Sequence, residues 1–172
     1  MRIRPADPSD IPAVAAIKVE SWRHAYRGIV PDMVLDALTA EEVQAQWLGV
    51  APSGFAGAVL VADGPDGIAG YTMSGPVREP AGDIPEQLYA IYLRPSHMRR
   101  GLGTALFHAT AQRLAAQGFP EFLLWVLEAN APARTFYERN GGGLIPGAGA
   151  VTEMGGAQLP ECAYGFRAHV AV

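Results

Sequence analysis

The sequence predicts a mixed α/β fold in which one central sheet carries helices on both faces. Short apolar strand patterns alternate along the 172 residues with longer helical patterns, and turn and cap residues separate them. Hydrophobic residues make up 49% of the chain and charged residues 17%, which is a globular composition. A chain of this length can bury a sizeable core, so we expect residues 1–172 to form a single domain.

The first half is predicted to begin with a strand, continue through three helical segments and end in two strands. Asp7 or Ser9 caps the first helix, Pro31 begins the second, and Thr39 with Glu42 forms a capping box for the third. The turn-forming run 63–67 separates the two strands. The predicted segments are a strand at 2–4, helices ending near 26, 38 and 48, and strands at 57–62 and 68–74.

The second half is predicted to alternate strands and helices. Gly118 closes the first helix of this half, Asn130 caps the second, and Pro132 is tolerated in its first turn. We expect the glycine-rich stretch 141–156 to be a loop that leads to the last strand. The predicted segments are a strand at 86–94, a helix at 101–117, a strand at 122–127, a helix from 130 to the glycines at 141–143, and a strand near 162–167.

Charge and cysteine content narrow the classes of function. The net charge of −4 gives no reason to expect nucleic-acid binding. The single cysteine, Cys162, cannot form an internal disulfide and is expected to be a small buried residue, which fits a cytoplasmic protein. No apolar run approaches membrane length, the N-terminus is unlike a signal peptide, and the four scattered histidines have no metal-ligand spacing.

The stretch 89–106 carries the clearest functional signal, because an apolar strand leads through a basic glycine loop into a helix. The first turn of a helix has N–H groups without internal partners and a partial positive charge, so it attracts anions. Gly101 and Gly103 let a phosphate approach the backbone, while Arg99 and Arg100 add full charges. The loop predicts a site for a pyrophosphate-bearing cofactor; an ordinary strand–turn–helix junction with solvated arginines is the alternative.

The spacing of this loop differs from two common phosphate motifs. A Rossmann fingerprint needs a small residue where Leu106 stands, and a Walker A loop needs Gly-Lys-Ser/Thr, which the chain lacks. The window 98–103 instead resembles the acetyl-CoA signature of the GNAT acetyltransferases, Q/R-x-x-G-x-G/A, with Met98 at the usual Gln or Arg position. The stretch 122–141, FLLWVLEANAPARTFYERNG, resembles a second GNAT segment, L-W-V-x-x-x-N-x-x-A-x-x-F-Y-x-x-x-G.

The resemblance implies a GNAT fold, whose mostly antiparallel sheet has two central strands that splay apart around the cofactor. It implies acetyl-CoA as donor, direct attack by an amine, and a homodimer. By resemblance, Asn130 contacts the pantetheine arm, Tyr137 protonates the leaving thiolate, and backbone N–H groups at 91–93 polarise the thioester carbonyl. The implied cofactor-binding residues are Ile91, Tyr92, Leu93, Met98, Arg99, Arg100, Gly101, Leu102, Gly103, Thr104, Asn130, Ala133, Phe136 and Tyr137.

The candidate base is Glu86, at a strand position where many family members carry an acidic residue. Strand alternation places it with Leu88 and Ala90 and opposite Tyr89 and Ile91. A solvated carboxylate at the end of a strand is the alternative interpretation.

The acceptor pocket is predicted to lie at the first helix. The stretch 22–28 resembles a recurrent opening of small bacterial acetyltransferases, so Trp22, His24 and Tyr26 are candidate acceptor residues with aromatic faces for a cationic amine. Packing of Trp22 and Tyr26 onto the sheet is the alternative. Trp125 stands where ribosomal-protein N-terminal acetyltransferases carry a glutamate, which argues against their specificity. A small-molecule amine is therefore the leading acceptor. The alternatives are a protein lysine or N-terminus, or a silent acetyl-CoA sensor.

Overall fold

The computed structural model describes residues 1–50 and 58–168. The strands are β1 (Arg2–Pro5), β2 (Val59–Gly64), β3 (Gly67–Pro76), β4 (Glu86–Leu93), β5 (Glu121–Leu127), β6 (Gly143–Met154) and β7 (Ala157–Arg167). The α-helices are α1 (Ile11–Ala25), α2 (Asp32–Ala37), α3 (Ala40–Val50), α4 (Leu102–Ala116) and α5 (Ala131–Arg139), with short 3₁₀ turns at Pro8–Asp10 and Pro95–His97.

These strands form one sheet in the order β1-β2-β3-β4-β5-β7-β6. Every neighbouring pair is antiparallel except β4 and β5, which run parallel. The two central strands pair only at Gln87 and Leu123 and then diverge. The predicted mixed, mostly antiparallel sheet with splayed central strands is therefore confirmed.

Helices cover both faces of the sheet, as predicted. On one face, α1 and α3 pack against β2 and β3 through buried residues such as Ile17, Val43 and Tyr71. On the other face, α4 and α5 pack against β5 and β7 around Phe107 and Phe122. Burial of these apolar side chains is the main stabilising contribution to the fold. Within residues 1–50 and 58–168, no helix is long and apolar enough to cross a bilayer.

Across the described residues, side-chain caps lie close to the predicted helix starts, but α1 itself begins without a side-chain cap, and of the predicted capping box at α3 one bond is present. The Asp7 carboxylate accepts a hydrogen bond from Ser9 N at 2.8 Å and begins the 3₁₀ turn that leads into α1. Thr39 Oγ1 accepts from Glu42 N at 3.3 Å at the start of α3. Asn130 caps α5, as described with the site below. These bonds satisfy backbone donors that have no partner inside their own helices.

The expected loop at 141–156 is wrong, because most of this stretch is strand β6. It pairs with β7, which begins at Ala157 and not near Cys162. The small side chains hide the strand from sequence patterns, but backbone pairing does not depend on them. A register shift between Leu144 and Gly149 absorbs the irregular part. The predicted strand at 57–62 corresponds to β2 from Val59 onward, and residue 57 lies outside the described residues.

A bulge in β4 overturns the simple alternation expected from the sequence. Ser74 pairs with Leu88 but Met73 pairs with Ala90, so Tyr89 is an extra residue. Beyond it the faces exchange. Leu88 and Ile91 both pack on the α4 side, whereas Ala90 and Tyr92 pack on the α1 side. The same strand therefore presents different side chains to its two faces before and after the bulge.

Candidate functional site

The gap between the diverging β4 and β5 opens into a cavity of about 740 Å³, which we call the cleft. Beyond their single paired position, the facing backbone edges of the two strands are not joined to each other. Helix α1, the first turn of α4 and helix α5 complete the walls. Most of the predicted site residues line the cleft: Trp22, Tyr26, Ile91, Tyr92, Leu93, Met98, Arg99, Gly101, Gly103, Thr104, Asn130, Ala133, Phe136 and Tyr137.

One end of the cleft is built to attract an anion. Helix α4 begins at Gly101, whose φ of 81° is left-handed and whose position has no side-chain cap. Arg99 also has a left-handed φ of 57°, so the loop turns sharply just before the helix. The first turn of α4 lines the cleft and carries no acidic residue. Its free N–H groups and partial positive charge are therefore available to an anion bound there.

Gly103 lets α4 approach its neighbours closely. A Cβ atom at this position would lie 3.3 Å from Leu93 Cδ1 and 3.4 Å from Phe136 Cε2. The first distance is shorter than ordinary van der Waals contact and the second is at its lower limit. The glycine therefore holds the anion-attracting turn against β4 on one side and α5 on the other.

Helix α5 supplies an amide and a phenol to the cleft. Asn130 is buried, and its Oδ1 accepts a hydrogen bond from Ala133 N at 3.2 Å, so the residue caps α5. Tyr137 lies further along the same helix, and its ring contacts Phe136 edge to face at 5.4 Å. Burial, and secondarily the nearby Tyr92, raises the pKa of Tyr137 well above its ordinary value of 10.0, so the phenol is neutral at physiological pH.

The other end of the cleft, which we call the chamber, has aromatic and acidic walls. It is formed by Trp22, Tyr26, Trp125, Leu127 and Glu161. Trp22 and Tyr26 stand edge to face with ring centroids 5.1 Å apart. Among the described residues, Trp22 Nε1 is the buried side-chain donor that makes no hydrogen bond, although it lies near the Tyr92 hydroxyl. Burial also raises the pKa values of Tyr26 and Tyr92.

Glu161 is the carboxylate of the chamber. It pairs with Leu127 across the β5–β7 ladder, so both side chains lie on the α1 face of the sheet. Burial, with a smaller effect from Glu79, raises the pKa of Glu161. In the described part of the chain, Glu161 forms no ion pair.

The structure does not bring Glu86 to the cleft. Its buried carboxylate lies in a separate depression with Ser74, Leu114 and Phe119, on the α4 face of the sheet. Its pKa is raised by burial. Among the other predicted residues, His24 and Arg100 are exposed, and neither they nor Leu102 lines the cleft.

Sequence reasoning missed two features of the chamber. Glu161 was overlooked because the last strand was expected to begin after it, although a lone acid in a mostly apolar strand is a usable signal. Tyr92 was predicted for its backbone N–H group, but strand alternation did not predict that its side chain points toward α1, where the bulge at Tyr89 turns it. Trp125 was noted only as a departure from a pattern, yet its ring lines the chamber and its Nε1 donates to Glu79 O at 2.8 Å.

Chemically, the cleft combines four features in one cavity. An anion-attracting helix N-terminus lies at one end and an aromatic, acidic chamber at the other. A neutral phenol and an unjoined strand edge lie between them. This arrangement suits the transfer of a group from an anionic carrier to a second molecule held in the chamber.

Comparison with known proteins identifies a matching family. The model of the acetyltransferase (GNAT) family matches residues 19–142. An uncharacterized N-acetyltransferase from Bacillus subtilis is 34% identical over 137 residues, which cover 79% of this chain and 76% of that protein.

Solved structures share the fold. The ribosomal-protein-alanine N-acetyltransferase from Brucella melitensis has a TM-score of 0.75 at 21% identity, over 97% of this chain and 99% of that one. PaiA N-acetyltransferase from Thermoplasma acidophilum, in complex with coenzyme A, has a TM-score of 0.67 at 17% identity, over 96% and 98% of the two chains.

Proposed function

This chain belongs to the GNAT family of acetyltransferases, and we propose that it transfers the acetyl group of acetyl-CoA to the amine of a small-molecule acceptor by direct attack. The observation that carries the proposal is the continuity of the cleft. One cavity of about 740 Å³ is lined by the first turn of α4, by the chamber and by Tyr137. A donor and an acceptor bound at the two ends would meet beside that phenol.

The donor end fits coenzyme A by charge and by shape. The pyrophosphate would bind the free N–H groups of the first turn of α4, with Gly101 and Arg99 providing the turn and one positive charge. The extended pantetheine arm carries amides, and the edge of β4 that is not joined to β5 offers them partners. The Oδ1 atom of Asn130 is used by the cap, which leaves its Nδ2 group to donate to the arm.

Tyr137 would stabilise the leaving thiolate. A thiol has an ordinary pKa of about 8.5, so the thiolate is a good leaving group once its charge is met by a donor. Because burial raises the pKa of Tyr137, the phenol keeps its proton at neutral pH and can donate a hydrogen bond. The proton that it passes to the thiolate is replaced by one from the attacking nitrogen, so no phenolate accumulates.

The chamber supports a small acceptor over a peptide. The β6–β7 hairpin closes one side, because its tip packs on α2: a Cβ at Gly155 would lie only 2.6 Å from Val34 Cγ2. Trp22 and Tyr26 of α1 form the facing wall, and Trp125 adds a third aromatic ring. Such a walled aromatic pocket suits an amine that enters alone. An open acidic groove would favour a protein substrate.

The test is acceptor-dependent thiol release from acetyl-CoA with a panel of polyamines, amino acids, aminoglycosides and peptides. We expect release with small amines. Tyr137→Phe should reduce kcat by about 100-fold or more while leaving acetyl-CoA affinity unchanged. The matched control is Tyr164→Phe, because that hydroxyl bonds Glu138 and Arg134 and does not line the cleft. Release with peptides alone would contradict the small-molecule acceptor.

A further inference from the structure

Amine acetylation requires a proton acceptor near the amine, and neither Glu86, which lies outside the cleft, nor the protonated Tyr137 can be that acceptor. An alkyl amine has a pKa of about 10.4 and is protonated at neutral pH, so it must lose a proton before its lone pair can attack. Glu86 lies on the α4 face of the sheet, whereas Trp22 and Tyr26 lie on the α1 face. A carboxylate on the α1 face, within the chamber, is therefore needed for direct proton removal.

We propose that Glu161 binds the ammonium group of the acceptor and takes up its proton, so that the acceptors of this enzyme are cationic amines. This inference rests on the proposed function and adds the base and the charge of the substrate.

The position of Glu161 carries the inference. Its side chain lines the cleft, and its partner across the ladder, Leu127, packs with Trp22 and Tyr26. It lies close enough to Tyr26 to act on that hydroxyl electrostatically. The β-strand holds the carboxylate at a fixed place opposite α1, as a base requires.

The described groups around Glu161 leave its carboxylate without a cationic partner, which favours binding of a cation. The titratable groups around Glu161 are Glu79, from the loop between β3 and β4, and Tyr26, which follows α1 and on which Tyr92 and Tyr137 also act. None of these side chains is a lysine, an arginine or a histidine. Arg99 and Arg139 also line the cleft, but neither is among the groups that act on Glu161. A half-buried carboxylate without a cationic partner is costly, and a bound ammonium offsets that cost.

The surrounding rings reinforce the choice of a cation. Trp22, Tyr26 and Trp125 present aromatic groups to the same chamber. Cations bind favourably over aromatic faces, and the effect increases where water is excluded. An ammonium that contacts these rings and Glu161 would gain from both.

The proposed step balances as follows. One N–H proton passes from the ammonium to a carboxylate oxygen of Glu161, which leaves a neutral amine. The nitrogen lone pair then forms the C–N bond to the thioester carbonyl, and the C–S bond breaks. The second proton leaves the nitrogen by way of Tyr137 to the thiolate sulfur. Glu161 finally releases its proton to water, so the net products are the amide, the thiol and one proton.

The raised pKa of Glu161 fits this role, because a weaker acid is a better base once it is ionised. The sign of the pH effect follows. As the pH increases, activity should rise where Glu161 ionises, at a pH above the ordinary carboxylate pKa of 4.5. It should fall again at the higher pH at which the amine loses its charge.

The experiment compares Glu161→Gln with Glu153→Gln. Glu153 is an exposed carboxylate on β6 whose loss changes the net charge equally. The kcat/KM for a primary alkyl amine is measured from pH 5.5 to 10 in wild type and both variants, at about half-unit steps. Acetyl-CoA affinity and thermal unfolding are measured on each to confirm an intact donor site.

For Glu161→Gln we expect kcat/KM at pH 7 to fall about 100-fold or more and to rise with pH up to the pKa of the amine. An aromatic amine, already neutral at pH 7, should lose far less. Glu161→Asp should restore part of the rate, and Glu153→Gln should match wild type. An unchanged pH profile in Glu161→Gln, or equal losses for charged and neutral amines, would overturn the inference while leaving acetyl transfer established. Absence of amine acetylation by wild type would instead refute the proposed function, and this inference with it.

Discussion

Gly70 lets β3 pack closely against the part of β4 that lines the cleft. Gly70→Ala should therefore lower the stability of the fold and weaken donor binding. Gly70 lies in β3 and pairs with Leu93 of β4. A Cβ atom at this position would lie 2.8 Å from Tyr92 O and 3.2 Å from Leu106 Cδ1, and it would clash with Leu93 Cδ2. The two leucine side chains can rotate away, but the Tyr92 carbonyl is backbone, so β4 itself must move.

The expected magnitude follows from the kind of clash. Overpacking that forces a backbone shift costs about 1–3 kcal/mol. For a domain of this size each kcal/mol lowers the melting temperature by about 2–4 °C, so we expect a loss of about 2–12 °C. Because Tyr92 and Leu93 line the cleft, the same displacement should weaken acetyl-CoA binding.

Gly143→Ala is the matched control. A Cβ at Gly143 meets no atom within 4 Å, and its backbone is not left-handed, so this substitution should be neutral or stabilise by up to about 1 kcal/mol. Thermal unfolding and calorimetric titration with acetyl-CoA are measured on both variants. A melting temperature of Gly70→Ala equal to wild type would refute the packing argument.

Three further substitutions test other parts of the structure. Gly101→Ala places a Cβ in a left-handed turn, so it should cost about 1–2 kcal/mol and weaken acetyl-CoA binding in calorimetry. Trp22→Phe removes a buried donor that makes no hydrogen bond of good geometry among the described residues, together with part of a ring packed on Tyr26, so thermal unfolding should show a loss of only about 1 kcal/mol while the acceptor KM rises. Asp10→Asn removes the negative charge and one of the two oxygens that accept from Arg4, at 2.7 and 2.9 Å, and should cost about 1–3 kcal/mol at pH 7. Arg4 lowers the pKa of Asp10 in the folded state, so the stability difference between wild type and Asp10→Asn is fully present above pH 3.8. It should disappear as the pH falls through the lowered pKa of the folded state, which denaturation measured at several pH values would show.

The parts of the fold that depend on local chemistry could be predicted from the sequence. Caps such as Asp7 and Asn130 act within a few residues of their own position, and the structure contains both. The glycine loop before α4 follows equally from local rules, because Gly101 needs a left-handed conformation.

The parts that depend on pairing between distant strands could not be predicted. The extra residue at Tyr89 appears only when β4 is aligned with β3, and it decides which side chains face α1. Strand β6 has few β-branched or aromatic residues, so only its partner β7 reveals it. The β3–β4 pairing separates Glu86 from the side chains that line the cleft, and the pairing of Glu161 with Leu127 across β5 and β7 places Glu161 within it.

The most direct test of the proposed site is a crystal structure of the protein with coenzyme A. We expect the pyrophosphate on the loop at 98–103, the pantetheine arm between β4 and β5, and the sulfur within about 3–4 Å of the Tyr137 hydroxyl. A coenzyme bound elsewhere, or a sulfur remote from Tyr137 with the gap between β4 and β5 empty, would contradict the assignment of this cleft as the active site.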